Sequence, residues 1–109
     1  MTKDSEPAEL KLGPIGTEII FENETVRVWT VDLEPGAQQA MHRHLLPYLV
    51  VPLTEGKNLM RFLSGRVVET NERPGTALWR EPGEPHELLN TSTWRYRNIL
   101  VELKHPAGL

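Results

Sequence analysis

Three imidazoles are the residues of this chain whose types and spacing point to chemistry. His42 and His44 stand two apart in His42-Arg43-His44, and His86 closes the turn-rich segment Glu81-Pro82-Gly83-Glu84-Pro85-His86. Residues two apart on a β-strand point to the same face, so a strand carrying the pair projects both rings to one side. Two His on one strand and a third on another make a set that grips a metal. Neutral imidazole binds iron, zinc, nickel, manganese and copper alike, and no sequence rule chooses among them. Three nitrogen ligands leave positions open to water, dioxygen or a substrate oxygen. The fourth His, His105, lies near the C-terminus, outside this pattern.

The elements that must position these rings are short and β-like. Val26 to Leu33 alternates and is rich in β-branched residues, and Pro35-Gly36 ends it. Ala40 to Leu46 carries the His pair. Tyr48 to Leu53 reads as a buried strand, turned by Thr54-Glu55-Gly56. Leu59 to Leu63 and Val67 to Thr70 read as a hairpin around Ser64-Gly65. Thr76 to Arg80, His86 to Leu89 and Trp94 to Leu103 complete the set. If the strand after Ala40 runs unbroken, His42, His44, Tyr48 and Val50 share one face, with Pro47 the residue able to disturb it. His86, Leu88 and Asn90 share another. No segment shows a 3.6-residue apolar stripe over ten or more positions. Nine Pro and eight Gly, most of them between the runs, also argue against helices. The expectation is an all-β sandwich or barrel.

Composition narrows the class further. The 109 residues fit one domain, and 39% hydrophobic content supplies a core. We divide the chain into an N-terminal arm, residues 1–18, able to end in a pairing or exchanged strand, and a barrel over residues 19–105. A net charge of −3 offers no basic field for nucleic acid. There are no Cys residues, hence no disulfides or thiolate ligands, which fits a cytoplasmic protein. No run approaches the roughly 18 apolar residues of a membrane span, and Met1 to Leu10 is polar and acidic, unlike a signal peptide.

The sequence resembles the cupins, small double-stranded β-helix or jelly-roll barrels. Their first motif sets a Gly before a His-x-His pair, then a Glu, then a second Gly. Here Gly36, His42, His44 and Gly56 match it and Tyr48 replaces the Glu. Their second motif runs from a Gly through a Pro-x-Gly turn to a His and an Asn. Gly75, Pro82-Gly83, His86 and Asn90 match, with Pro and Gly adjacent and one compensating residue upstream. The resemblance covers residues 20 to 104. The general pattern is also similar to one-domain bacterial cupins, some of them named for β-alanine degradation.

The resemblance implies one divalent transition metal per chain, held by His42, His44 and His86, with no carboxylate at the fourth position. Such a site is more positive when loaded and favours an anionic ligand such as a carboxylate, dicarbonyl or thiol compound. Cupin dioxygenases act on such metabolites at non-haem iron, and decarboxylation or isomerisation suits the same ligands. Tyr48 is the candidate catalytic residue, as proton donor, distant ligand or second donor around the metal; filling the core or rim is its structural alternative. Two other classes stay open: a metal-free epimerase-type enzyme using a His and Tyr48, and a non-catalytic ligand-binding protein. Asn90 is expected to cap a turn, and Trp29, Trp79 and Trp94 to serve the core or a dimer interface. Arg61, Arg80, Arg95 and Arg97 are expected on solvated strand faces, with one available to clamp a carboxylate. Glu84 and Glu87 are expected to be solvated turn charges. A homodimer is expected by resemblance, paired through the N-terminal strands.

Overall fold

The computed structural model describes residues 11–104; His105 and the first ten residues of the arm lie outside them. Nine strands follow one another: β1 (Glu18–Glu22), β2 (Val26–Leu33), β3 (Gln38–His42), β4 (Tyr48–Pro52), β5 (Asn58–Phe62), β6 (Val67–Thr70), β7 (Leu78–Arg80), β8 (His86–Asn90) and β9 (Tyr96–Leu103). They form two antiparallel sheets, β1-β2-β9-β4-β7 and β3-β8-β5-β6. The chain is thus an all-β jelly roll, and no helix among the described residues is long and apolar enough to cross a membrane.

Period-two alternation explains what each strand buries. Along β9, Tyr96, Asn98, Leu100 and Glu102 are buried while Arg97 is exposed. Along β8, His86, Leu88 and Asn90 are buried, as their parity requires. Val31, Leu33, Tyr48, Leu88, Tyr96 and Leu100 meet as the apolar core, with Trp29 and Met60 packed against them.

The β3–β8 pair departs from plain alternation. Gln39 pairs with Leu88, yet His42 pairs with His86, so β3 advances one residue more than its partner. This is a β-bulge, and it switches the phase of the strand. Gln39 and His42 are three apart and belong on opposite faces of a regular strand, yet both line the interior cavity. The strand also ends at His42, where an unbroken run to Leu46 was expected. His44 therefore sits in the irregular link to β4. Pro47, which has no N–H for a ladder, lies in this link, and its carbonyl accepts from the Leu103 amide at 3.0 Å.

The far end of the β3–β8 pair is fixed by the opening Gly of the first motif and the closing Asn of the second. Gly36, at φ 77°, makes the turn into β3 in a region that side chains disfavour. Its amide donates to the Asn90 carbonyl at 2.9 Å, and the Asn90 amide donates to the Ala37 carbonyl at 3.0 Å. The Asn90 side chain is fully buried. Its amide nitrogen donates to the carbonyls of Leu33, Glu34 and Trp94, and its oxygen accepts from the amide and hydroxyl of Ser92. Asn90 thus holds three chain segments, as a turn-capping role requires.

The described part of the arm crosses the sheets. The Gly13 amide donates to the Met41 carbonyl, the Gln39 side chain to the Ile15 carbonyl and the Thr17 amide to the Thr30 carbonyl. β1 is an edge strand whose Ile19, Ile20 and Phe21 are all exposed.

Removing the Asn90 side chain strands several buried polar groups. Asn90→Ala is expected to lower unfolding free energy by about 2–4 kcal/mol, measured by chemical denaturation.

Candidate metal centre

The bulge and the link bring the three imidazoles together. The ring centroids of His42 and His44 lie 4.9 Å apart, His42 and His86 4.6 Å, and His44 and His86 5.2 Å. One ligand nitrogen from each lies within 4.8 Å of the others, and all three residues are buried. Each ring has its own support. His42 Nδ1 is 2.7 Å from the Ala40 carbonyl, which can only accept, so Nδ1 carries the proton and Nε2 keeps its lone pair. His86 meets Phe62 edge to face, with centroids 5.4 Å apart. His44, without a strand to hold it, is stacked on Tyr48 at 3.8 Å and 14° between planes. The residue that replaces the first-motif Glu therefore orients a ring of the cluster.

Burial decides the charge state. It lowers the pKa of all three imidazoles. His44 falls to about 3, through burial first and then the neighbouring His42 and His86. His86 falls to about 4, through burial, then His42 and Arg80, against the opposing pull of Glu84. His42 is lowered by burial, partly offset by its bond to Ala40. Near neutral pH the cluster is uncharged and its lone pairs are free to coordinate. Tyr48 is pushed up to about 12 by burial, with Arg80 opposing, so its hydroxyl keeps its proton. His44 Nδ1 is buried without a hydrogen-bond partner, a group that burial leaves costly unless something engages it. Three neutral, convergent nitrogens, one of them carrying this unsatisfied atom, fit a divalent transition metal.

Two spaces with five lining residues in common adjoin the cluster. An inner cavity of about 40 Å³ lies between the sheets, lined by the three His with Tyr48, Met60 and Leu88 among others. An outer cavity of about 230 Å³ shares His44, Tyr48, Met60, Arg80 and His86 with it and adds Phe62, Arg66 and Thr70. The inner space has room for little more than one water beside the rings. The outer one has room for a small molecule.

The remaining candidates separate cleanly. Arg61 is paired with Glu87 at 2.7 Å and Arg95 with Asp32 at 2.6 Å. Arg80 lines both cavities. Glu87 also accepts from Gln38, and Glu84 accepts from the amide and hydroxyl of Ser64, so neither is merely solvated. Trp79 and Trp94 are exposed, each with its indole N–H bonded to an oxygen of a Glu. Trp29 packs on the core and donates to Glu102.

Sequence reasoning missed Arg66, Phe62 and the buried Glu72. The available signal was parity. Asn58, Met60 and Phe62 share one face of β5, and Val68 and Thr70 share the face of β6 that continues to Arg66 on one side and Glu72 on the other. Glu72 accepts from the Asn58 side chain at 2.9 Å and pairs through its backbone with Gly56. A side chain at position 56 would collide with Glu72, Tyr96 and Asn58, which explains the glycine there.

The chain is an all-β jelly roll with a buried three-imidazole cluster that could hold a metal ion. No family model matches the chain. It is 34% identical over 73 residues to the β-alanine degradation protein BauB of Pseudomonas aeruginosa, a match covering 64% of this chain and 73% of that one. A cupin domain from Bordetella pertussis superposes with TM-score 0.72 at 29% identity, covering 84% of this chain and 99% of that structure. A Klebsiella pneumoniae protein with a double-stranded β-helix domain superposes with TM-score 0.63 at 20% identity, covering 89% and 86%. This chain belongs to the cupins.

The depressed imidazole pKa values predict an acid-labile fold. Each lies below the unfolded value of about 6.5, so the unfolded chain binds more protons between the two. The stability held by neutral His is full above pH 6.5 and is lost as pH falls toward 4 and 3. For chelator-treated protein, the melting temperature is expected to fall by about 5–10 °C between pH 6.5 and 4.5, with a shallower slope in His44→Gln, measured by calorimetry.

Proposed function

We propose that the chain is a metal-binding cupin whose His42, His44 and His86 hold one divalent transition metal that acts on a small anionic metabolite, a carboxylate, dicarbonyl or thiol compound. With iron as the metal, the reading extends to a non-haem dioxygenase. The observation that carries it is the convergence of three buried, neutral imidazoles, two of which, His44 and His86, also line a chamber of about 230 Å³. Bound there, a metal supplies Lewis acidity and, where it is redox-active, electron transfer.

The chain's own residues provide the rest. The ligand set carries no charge, so the ion's two positive charges stay uncompensated by ligands and attract an anion. Phe62 and Met60 give the chamber an apolar wall that limits water. Tyr48, protonated at physiological pH, is a hydroxyl donor for a ligand oxygen in the cavity, which is the role we assign it. The face-to-face stack of Tyr48 on His44 puts both on one wall, an arrangement that supports the metal reading over an acid–base pair acting from opposite sides. The name of the Pseudomonas relative points to β-alanine, itself a small carboxylate. Pairing of two copies along β1, whose Ile19, Ile20 and Phe21 are exposed, belongs to the same proposal and is checked by light scattering.

Cobalt(II) tests the site. Titration is expected to give one equivalent of bound ion with visible absorption bands, and acetate is expected to shift those bands by entering an open position. His86→Ala is expected to lose the bands. Bands that ignore acetate would contradict an anion-accepting centre.

A further inference from the structure

The outer cavity carries two guanidinium groups beyond the imidazoles. Arg80 is the cross-strand partner of Tyr48 in the β4–β7 pair. Two residues from Leu78, it points to the same face, and both line the inner cavity, Arg80 as an exposed residue. Its charge reaches both His86 and Tyr48, adding to the lowering at His86 and opposing the burial that raises Tyr48. Arg66 comes from the opposite sheet, at the start of β6. Its guanidinium carbon sits 4.0 Å above the Phe62 ring, a cation–π contact that fixes its position. Phe62 in turn meets His86 at 5.4 Å. The Arg66 guanidinium therefore lies within about 10 Å of that imidazole.

Neither arginine forms a salt bridge among the described residues. The acids of the same rim are engaged by neutral donors. Glu81 accepts from the Trp79 indole at 2.6 Å, and Glu84 from the Ser64 amide and hydroxyl at 3.0 and 3.2 Å. Two unpaired guanidiniums thus face a chamber with about the volume of seven or eight waters.

We propose that the ligand of this site is two-headed: one oxygen or sulfur group directed at the three-His centre, and a second, anionic group, a carboxylate in the first instance, held by Arg80 and Arg66. The inference rests on the metal reading above and adds the substrate class and the residues that select it. One carboxylate satisfies a guanidinium through two parallel hydrogen bonds. Arg80 is the principal clamp because it lines both cavities. Arg66, held over Phe62, sets the distance at which the second head is read. A ligand with one head uses only the metal end and leaves the guanidiniums in water.

The test uses cobalt-loaded protein and calorimetry with two probes, acetate and malonate. Malonate is expected to bind at least tenfold more tightly than acetate, about one charge-assisted hydrogen bond in strength. Arg80→Ala is expected to bring malonate down to the affinity of acetate while cobalt content and bands stay as in the parent. Arg66→Ala is expected to lose part of the preference. Equal affinities in the parent protein, or a preference that survives in both variants, would overturn the two-headed ligand while leaving the metal centre standing. Failure to bind cobalt at all would remove the metal reading and this inference with it.

Discussion

The pairing of β3 with β8, with one extra residue in β3, is the constraint on which the site depends. At one end Gly36, Ala37 and Asn90 lock the two strands through backbone bonds. At the other end His42 and His86 face each other across the ladder. Between them the bulge changes which residues point inward, so Gln39 can reach the Ile15 carbonyl while His42 joins the cluster. A regular β3 would direct one of the two to solvent. The motif residues are therefore two ends of a single structural device, one end holding the turn and the other holding the imidazoles.

Electrostatics and packing then set the character of the centre. Burial keeps the imidazoles neutral, and the bond from His42 to Ala40 fixes its tautomer. Tyr48 takes the place of a carboxylate and gives up a negative charge for a ring that stacks on His44. The exchange leaves the three-imidazole cluster without a carboxylate, so a metal held there would keep its charge uncompensated by ligands. Arg66 and Arg80 at the outer cavity act in the same direction, opposed by Glu81 and Glu84, which line it too.

Most of the fold was legible because alternation and turn residues report local geometry. Val26 to Leu33 and Val67 to Thr70 read from the sequence at their observed bounds, and the parity of His86, Leu88 and Asn90 held. The strand carrying His42 did not. A bulge depends on how a strand pairs with a distant partner, and nothing local to Gln38–His42 marks it. The convergence of His42 with His44 was expected from strand parity, yet it arises from an irregular link and an aromatic stack. Arg66, Phe62 and Glu72 escaped notice because their roles depend on which sheet faces which, a property of topology. Arg80 was one of four similar arginines until its pairing with Tyr48 set it apart.

The proposed function requires His42, His44 and His86 to act as one metal-binding unit. Elemental mass spectrometry of the untagged protein, beside His44→Ala, tests it most directly. Close to one transition-metal ion per chain is expected in the parent, with its loss in the variant. A parent that stays empty after anaerobic reloading with Fe(II) or Zn(II), or a variant that holds metal as well as the parent, would contradict it.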